Sequence, residues 1–274
     1  MRTRPLDDRR PISDAADIVE TAHALADAAR AAILPHFRNA ALVSENKGAG
    51  LYDPVTEADR ASERAMRDIL ARRRPRDAIL GEEFGATPGT SGLTWVLDPI
   101  DGTRAFMAGA PSWGVLIALS DETGPRYGLI DQPYIGERFE GGLGRAGVTG
   151  PRGTAGLSVL GDRPLADAIL FSTYPDIGTP EERRAFDAVA AKVRFARFGM
   201  DCYAYALLAA GQIDLVIEAG LQSYDVAAPI AVIEAAGGIV TDWRGGPAHE
   251  GGRILAAAGA TQHRAALELL GELS

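Results

Sequence analysis

The chain has 274 residues, 46% of them hydrophobic and 24% charged, a globular composition long enough for one large domain or two intimately packed ones. A formal net charge of −9 excludes the basic face that nucleic acid or an anionic membrane needs, so an anionic substrate would require local positive charge, most simply metal ions. The single cysteine, Cys202, cannot form an internal disulfide, the start MRTRPLDDRRPISDAAD has no apolar core of a secretion signal, and no window reaches the roughly 18 uninterrupted apolar residues of a membrane span, so a soluble cytoplasmic protein is expected.

In chain order, SDAADIVETAHALADAARAAILPHFRNA repeats apolar residues at helical spacing, which predicts an amphipathic helix from Asp14 to about Phe37. VSENKGAGLYDPV, with Lys47 inside it, loses all periodicity and reads as a flexible loop. A second helix is predicted through PVTEADRASERAMRDILARR, with Thr56 and Asp59 at its capped start. The short runs AILG, LTWVLDP, WGVLIALS, PRYGLIDQP and ERFEGGLG, separated by Gly and Pro, predict one antiparallel sheet.

The rhythm then changes. Strands AILFSTYP, RFARFG and IDLVIEAG alternate with helices from about Pro180 to Val193, through CYAYALLAAG and through DVAAPIAVIEAAGG; GIVTDW, RILAAAG and a helix from Thr261 follow. Alternation of this kind predicts helices layered on a sheet. Residues 1–150 and 151–274 thus form two halves, and with no low-complexity linker between them they are expected to pack as one unit.

The chemistry concentrates in LTWVLDPIDGTRAF. Pro99 cannot donate to a ladder, so the strand is expected to end at Asp98, on the sheet rim. The turn can bring Asp98, the Ile100 carbonyl and Asp101 toward one point, where two crowded carboxylates repel unless a hard cation such as Mg²⁺ or Mn²⁺ joins them. Gly102 and Thr103 open a short helix whose free amides suit a phosphate. Alone, DPxDG would also serve as an ordinary turn. Glu82 in GEE, Asp59 in DPVTEAD and Asp225 in SYDVAAP could likewise be a loop charge, a capping acid and a helix-start acid.

Together and in this order, DPVTEAD, GEE, DPIDGT and SYDVAAP resemble the inositol monophosphatase superfamily, with a likeness running from the first helix to AAGG at Ala235–Gly238. The resemblance implies a layered αβαβα sandwich of mixed α/β class, of the inositol monophosphatase and fructose-1,6-bisphosphatase type, paired as a homodimer. It also implies two or three Mg²⁺ ions, roughly, replaceable by Mn²⁺, held by Glu82, Asp98, the Ile100 carbonyl, Asp101 and Asp225. Thr103, Asp59 and Glu82 would activate the attacking water, the Gly102 and Thr103 amides would bind phosphate, and Lys47 would sit on a mobile loop closing the site. Tyr224 departs from the family's usual Trp, which implies altered packing beside an intact Asp225.

The stretches Gly199 to Gly220 and Gly128 to Gly142 are similar to the histidinol-phosphatase branch. Inositol-specific relatives have a small residue where this chain has Asp201, and Glu218 ends the next predicted strand facing the same cleft. With Asp101 these acids suit a substrate carrying cationic groups, such as histidinol phosphate, although Asp201 could equally cap the helix behind it. An inositol or broad sugar phosphatase, or a non-catalytic regulator on the same fold, are the rival readings. Cys202 lies in a helical apolar pattern and reads as a buried thiol, and the four histidines show no metal-ligand spacing.

Overall fold

The structure, a computed structural model, describes residues 12, 14–39, 44–46 and 54–271. Helix α1 (Ala15–Ile33) and helix α2 (Glu57–Arg73) lie side by side, with the short strands β1 (Ser44–Asn46) and β2 (Pro54–Thr56) paired antiparallel between them in the chain. The capped start of α2 is as expected: Thr56 Oγ1 accepts the Ala58 N–H at 3.1 Å, and Asp59 returns a carboxylate oxygen to the Thr56 N–H at 2.8 Å. The first helix stops at Ile33 rather than at Phe37, because Pro35 has no N–H for the next rung. The chain instead tightens into three-residue turns, His36 N–H to Ile33 O at 2.9 Å and Phe37 N–H to Leu34 O at 3.3 Å.

Eight strands form the first sheet in the order β10-β9-β8-β7-β6-β5-β3-β4: β3 (Ala78–Gly81), β4 (Gly85–Thr87), β5 (Thr94–Asp101), β6 (Gly114–Asp121), β7 (Gly124–Gln132), β8 (Glu137–Gly142), β9 (Arg145–Gly150) and β10 (Gly153–Gly156). Every pairing is antiparallel except that β3 runs parallel to β5. Strand β1 lies within, and β2 at the end of, the stretch VSENKGAGLYDPV, expected as a loop, and strands β4, β9 and β10 were not expected either. β4, β9 and β10 each carry glycine and none of their residues is fully buried, so they lack the apolar alternation that marks a strand.

The second sheet has the order β12-β11-β13-β15-β14, from β11 (Ile169–Ser172), β12 (Phe195–Phe198), β13 (Leu215–Leu221), β14 (Ile239–Thr241) and β15 (Gly252–Ala257). Its helices are α4 (Pro180–Ala190), α5 (Asp201–Ala209), α6 (Ser223–Ala235) and α7 (Ala260–Gly271), while α3 (Thr103–Ala108) belongs to the first half.

Side-chain alternation stacks these elements into five layers. One face of the first sheet, with Trp95, Leu97, Val115, Ile117 and Leu129, packs on α1 and α2. Its other face, with Val96, Leu116, Ala118 and Ile130, packs on α5 and α6. Those two helices also cover Val216, Ile254 and Ala256 of the second sheet, whose outer face, with Leu170, Leu215 and Leu255, rests on Phe186 of α4 and Leu270 of α7. The order α, β, α, β, α is the sandwich expected. Helix α6 is apolar all round because it is the filling between two sheets. Among the described residues no helix is long and apolar enough to cross a membrane.

Candidate active site

The strand carrying Asp98 does not end there. It continues to Asp101 through a bulge: Asp98 sits opposite Leu116 and Asp101 opposite Gly114, so two residues, Pro99 and Ile100, stand against one, Val115. A bulge is where a sheet tolerates proline, and Pro99 occupies it. The extra residue has a chemical consequence. In a regular strand Asp98 and Asp101 would point to opposite faces, whereas opposite Leu116 and Gly114 they point to the same one.

Two further acids reach that face. Asp225 stands in the first turn of α6, where one carboxylate oxygen accepts the Gln222 N–H at 2.7 Å. Oxygens of Asp98, Asp101 and Asp225 lie within 4.8 Å of one another. Glu82 follows β3, the strand beside β5, with its N–H on Leu97 O at 3.1 Å. Burial, then the charges of Glu82, Asp101 and Asp225, push the Asp98 carboxyl well above the usual carboxylate range. Burial, then Asp225 and Asp201, push Asp101 up in the same way, against the pull of the Cys202 N–H at 2.6 Å. An all-oxygen donor set whose strongest charged neighbours are other acids fits a hard divalent cation.

Thr103 begins α3, and its hydroxyl donates to the Ile100 carbonyl at 3.1 Å, with Asp59 Oδ1 more distant at 3.5 Å. The expected Thr103–Asp59 pairing is therefore the weaker of the two contacts. Asp59 is fully buried, and its other oxygen serves Thr56. Gly102 has φ +83°, and a Cβ there would come within 2.8 Å of the Asp201 carboxyl carbon. Only glycine allows both the left-handed turn and that approach. The first amides of α3 have no carbonyl within the helix to serve, and Gly102 and Thr103 line a cavity of about 410 Å³ together with the acids.

This acid-rimmed cavity within five layers is matched by sequence as well. The model of the inositol monophosphatase family matches residues 14–273. The chain belongs to the inositol monophosphatase family. Members of this family are metal-dependent phosphatases that act on small phosphorylated substrates. The chain is similar to a histidinol-phosphatase of Streptomyces coelicolor, 37% identical over 95% of this chain and 98% of that one. It is 43% identical to the chloroplastic bifunctional phosphatase IMPL2 of Arabidopsis thaliana over 81% of this chain, a match spanning 63% of the plant protein. In structure it resembles an inositol monophosphatase from Zymomonas mobilis, with a TM-score of 0.82 and 38% identity over 95% of this chain and 100% of that one.

In this inositol monophosphatase-family chain the two acids expected beyond the carboxylate cluster also line the cavity. Asp201 does not cap its helix. It is the first residue of α5, at φ +45°, and its carboxylate accepts the Ser112 hydroxyl at 2.6 Å. Burial raises its pKa, while Ser112 and the Arg104 charge pull it down. Glu218 does not end its strand, since β13 runs past a bulge to Leu221. Its carboxylate accepts the Thr173 N–H at 2.6 Å and hydroxyl at 2.9 Å, and burial lifts it to about 7.

Lys47 lies outside the described residues. Tyr224, in place of Trp, lines the cavity and packs against the core between the sheets. Cys202 is buried, as expected, yet its backbone N–H binds Asp101.

Glu63 is a residue that sequence reasoning passed over. Buried on α2, it accepts the Glu83 N–H at 2.7 Å and the Phe84 N–H at 3.3 Å, so it shapes the turn that presents Glu82. Its sequence signal was an acid four residues before Arg67, whose guanidinium binds it at 2.7 Å. The rim pair of Arg104 and Tyr174, joined at 2.7 Å, carried no signal because the two residues are distant in sequence.

Proposed function

We propose that this chain is a Mg²⁺-dependent phosphomonoesterase whose substrate is L-histidinol phosphate, an ester formed in histidine biosynthesis. The observation that carries the substrate reading is Asp201, an acid beyond the metal cluster that faces the cavity and is held by Ser112 instead of capping its helix. A neutral polyol has no use for such a carboxylate, whereas an amine and an imidazole do. Similarity over nearly the full length to a histidinol-phosphatase supports the same reading. A cytoplasmic homodimer remains part of the proposal and rests on the sequence resemblance.

In this reading Glu82, Asp98, the Ile100 carbonyl, Asp101 and Asp225 hold the ions, which when bound supply Lewis acidity to water and to phosphoryl oxygens. Asp59 and the Ile100 carbonyl orient the Thr103 hydroxyl toward the attacking water, and Glu82 takes up its proton. The Gly102 and Thr103 amides receive the negative charge that grows on phosphate. Asp201 and Glu218 bind the alcohol half. Retention of every acid in the cluster favours an enzyme over a non-catalytic regulator.

The deciding measurement is turnover of histidinol phosphate, myo-inositol phosphate and phenyl phosphate under identical Mg²⁺. Histidinol phosphate should give the highest kcat/KM, and a preference for the inositol ester would end the substrate assignment in favour of an inositol or broad sugar phosphatase. Asp201→Ala should raise KM for histidinol phosphate about tenfold more than for phenyl phosphate, the scale expected when a charged hydrogen-bond partner is lost. Equal effects on both esters would remove Asp201 from the recognition site.

Glu218 adds a pH signature. Below about 7 it is neutral, like glutamine, and above about 7 it is charged. The KM of Glu218→Gln for histidinol phosphate, divided by that of the unchanged protein, should therefore sit near one at low pH and rise several-fold as pH increases through about 7. The substrate's ammonium keeps its charge through this range, so a ratio independent of pH would exclude Glu218 from binding that group.

A further inference from the structure

Tyr205 stands on α5 one turn beyond Asp201, and the spacing of four residues puts the two on one helix face, where both line the cavity. The ring is 4% exposed. Of the buried side-chain polar atoms that lack a hydrogen-bond partner among the described residues, only the Tyr205 hydroxyl belongs to a residue of the cavity wall. Burial and the charges of Glu218, Asp101 and Asp225 push the phenol up, which keeps the O–H intact as both donor and acceptor.

A buried hydroxyl without a partner costs stability, and phenylalanine would fill the same space without that cost. The neighbouring acids Glu218 and Asp201 are already held, by Thr173 and by Ser112. The tyrosine is the polar group left over. Its oxygen, set among carboxylates, is best matched by a ligand group that donates N–H or O–H, an ammonium above all.

We propose that Tyr205 is a specificity-determining residue whose hydroxyl accepts a hydrogen bond from an ammonium or hydroxyl group on the alcohol half of the phosphate ester. This rests on the cavity being the phosphatase site proposed above, but not on which ester fills it. Asp201 and Glu218 supply charge from two sides, and Tyr205, between them in the chain, supplies the neutral contact that fixes orientation.

The test is Tyr205→Phe, assayed on the phosphate ester that the unchanged protein turns over best, whether histidinol or inositol phosphate, and on phenyl phosphate, whose alcohol half offers no donor. KM for the polar ester should rise at least about tenfold more than KM for phenyl phosphate, with kcat changed far less than KM. The thermal midpoint of the unliganded variant should stay level or rise, because an unpartnered hydroxyl has been removed. Equal KM changes for both esters, or a lowered midpoint, would overturn the proposal, the latter by revealing a partner inside the protein. A preference of the unchanged protein for inositol phosphate would refute the histidinol assignment alone and leave the Tyr205 comparison fully informative on that ester.

Discussion

Asp98→Asn should lower kcat/KM for the preferred ester by about a thousandfold, the scale on which a central electrostatic group of an active site contributes, and should at the same time make the metal-free protein more stable. The two signs share one cause. Asp98 is buried against Glu82, Asp101 and Asp225, and that crowding drives its pKa up, so the metal-free fold carries repulsion that a neutral amide relieves. The substitution is gentle on the backbone. Asp98 Oδ1 accepts the Ile100 N–H at 3.0 Å, and the amide oxygen of asparagine can accept it as well. Saturating Mg²⁺ should raise the thermal midpoint of the unchanged protein, since binding at a hundred times Kd stabilises by about 2.7 kcal/mol, and should move the midpoint of the variant much less. EDTA should abolish phosphate release and reverse the midpoint shift. Retained activity in the variant, or a midpoint that ignores Mg²⁺ in the unchanged protein, would leave the carboxylate cluster without its proposed task.

Why some of this site was readable in the sequence, and some not, follows from the range of the interactions. GEE, DPIDGT and DVAA could be found because each encodes its own local geometry, a turn or a helix start, through Gly, Pro and Asp. The expectation that strand β5 stops at Asp98 missed because proline bars a regular ladder but not a bulge, and the bulge depends on Gly114 and Leu116 across the sheet. Glu63 shapes the turn of Glu82 from twenty residues away, and Ser112 holds Asp201 from farther still. Such pairs leave no periodic trace. The five layers were implied by family resemblance, while the alternation that builds them is visible strand by strand, as in Trp95, Val96 and Leu97 facing α1, α6 and α1 sides in turn.

Gly102→Ala should be the most damaging substitution outside the charged groups, costing about a hundredfold in kcat/KM, as a misplacement near 1 Å can. Alanine in the left-handed conformation costs roughly 1–2 kcal/mol by itself. The larger effect is steric. The new Cβ would lie 2.8 Å from Asp201 Cγ and 2.9 Å from its Cβ, so Asp201 must move. Asp201 cannot move alone, because it starts α5 at φ +45° and the next residue's N–H is bound to Asp101 at 2.6 Å. Displacement therefore passes from the Gly102 turn to Asp201 and back to the carboxylate cluster. A double-mutant cycle isolates this path. Asp201→Gly removes the obstructing side chain and accepts the positive φ without strain, so Gly102→Ala should cost at least about 1 kcal/mol less in that background. Unfolding free energies measured for the four proteins give the coupling directly. Strict additivity would mean that the turn and the helix are mechanically independent, and that Asp201 acts on the alcohol half without any hold on the phosphate end of the site.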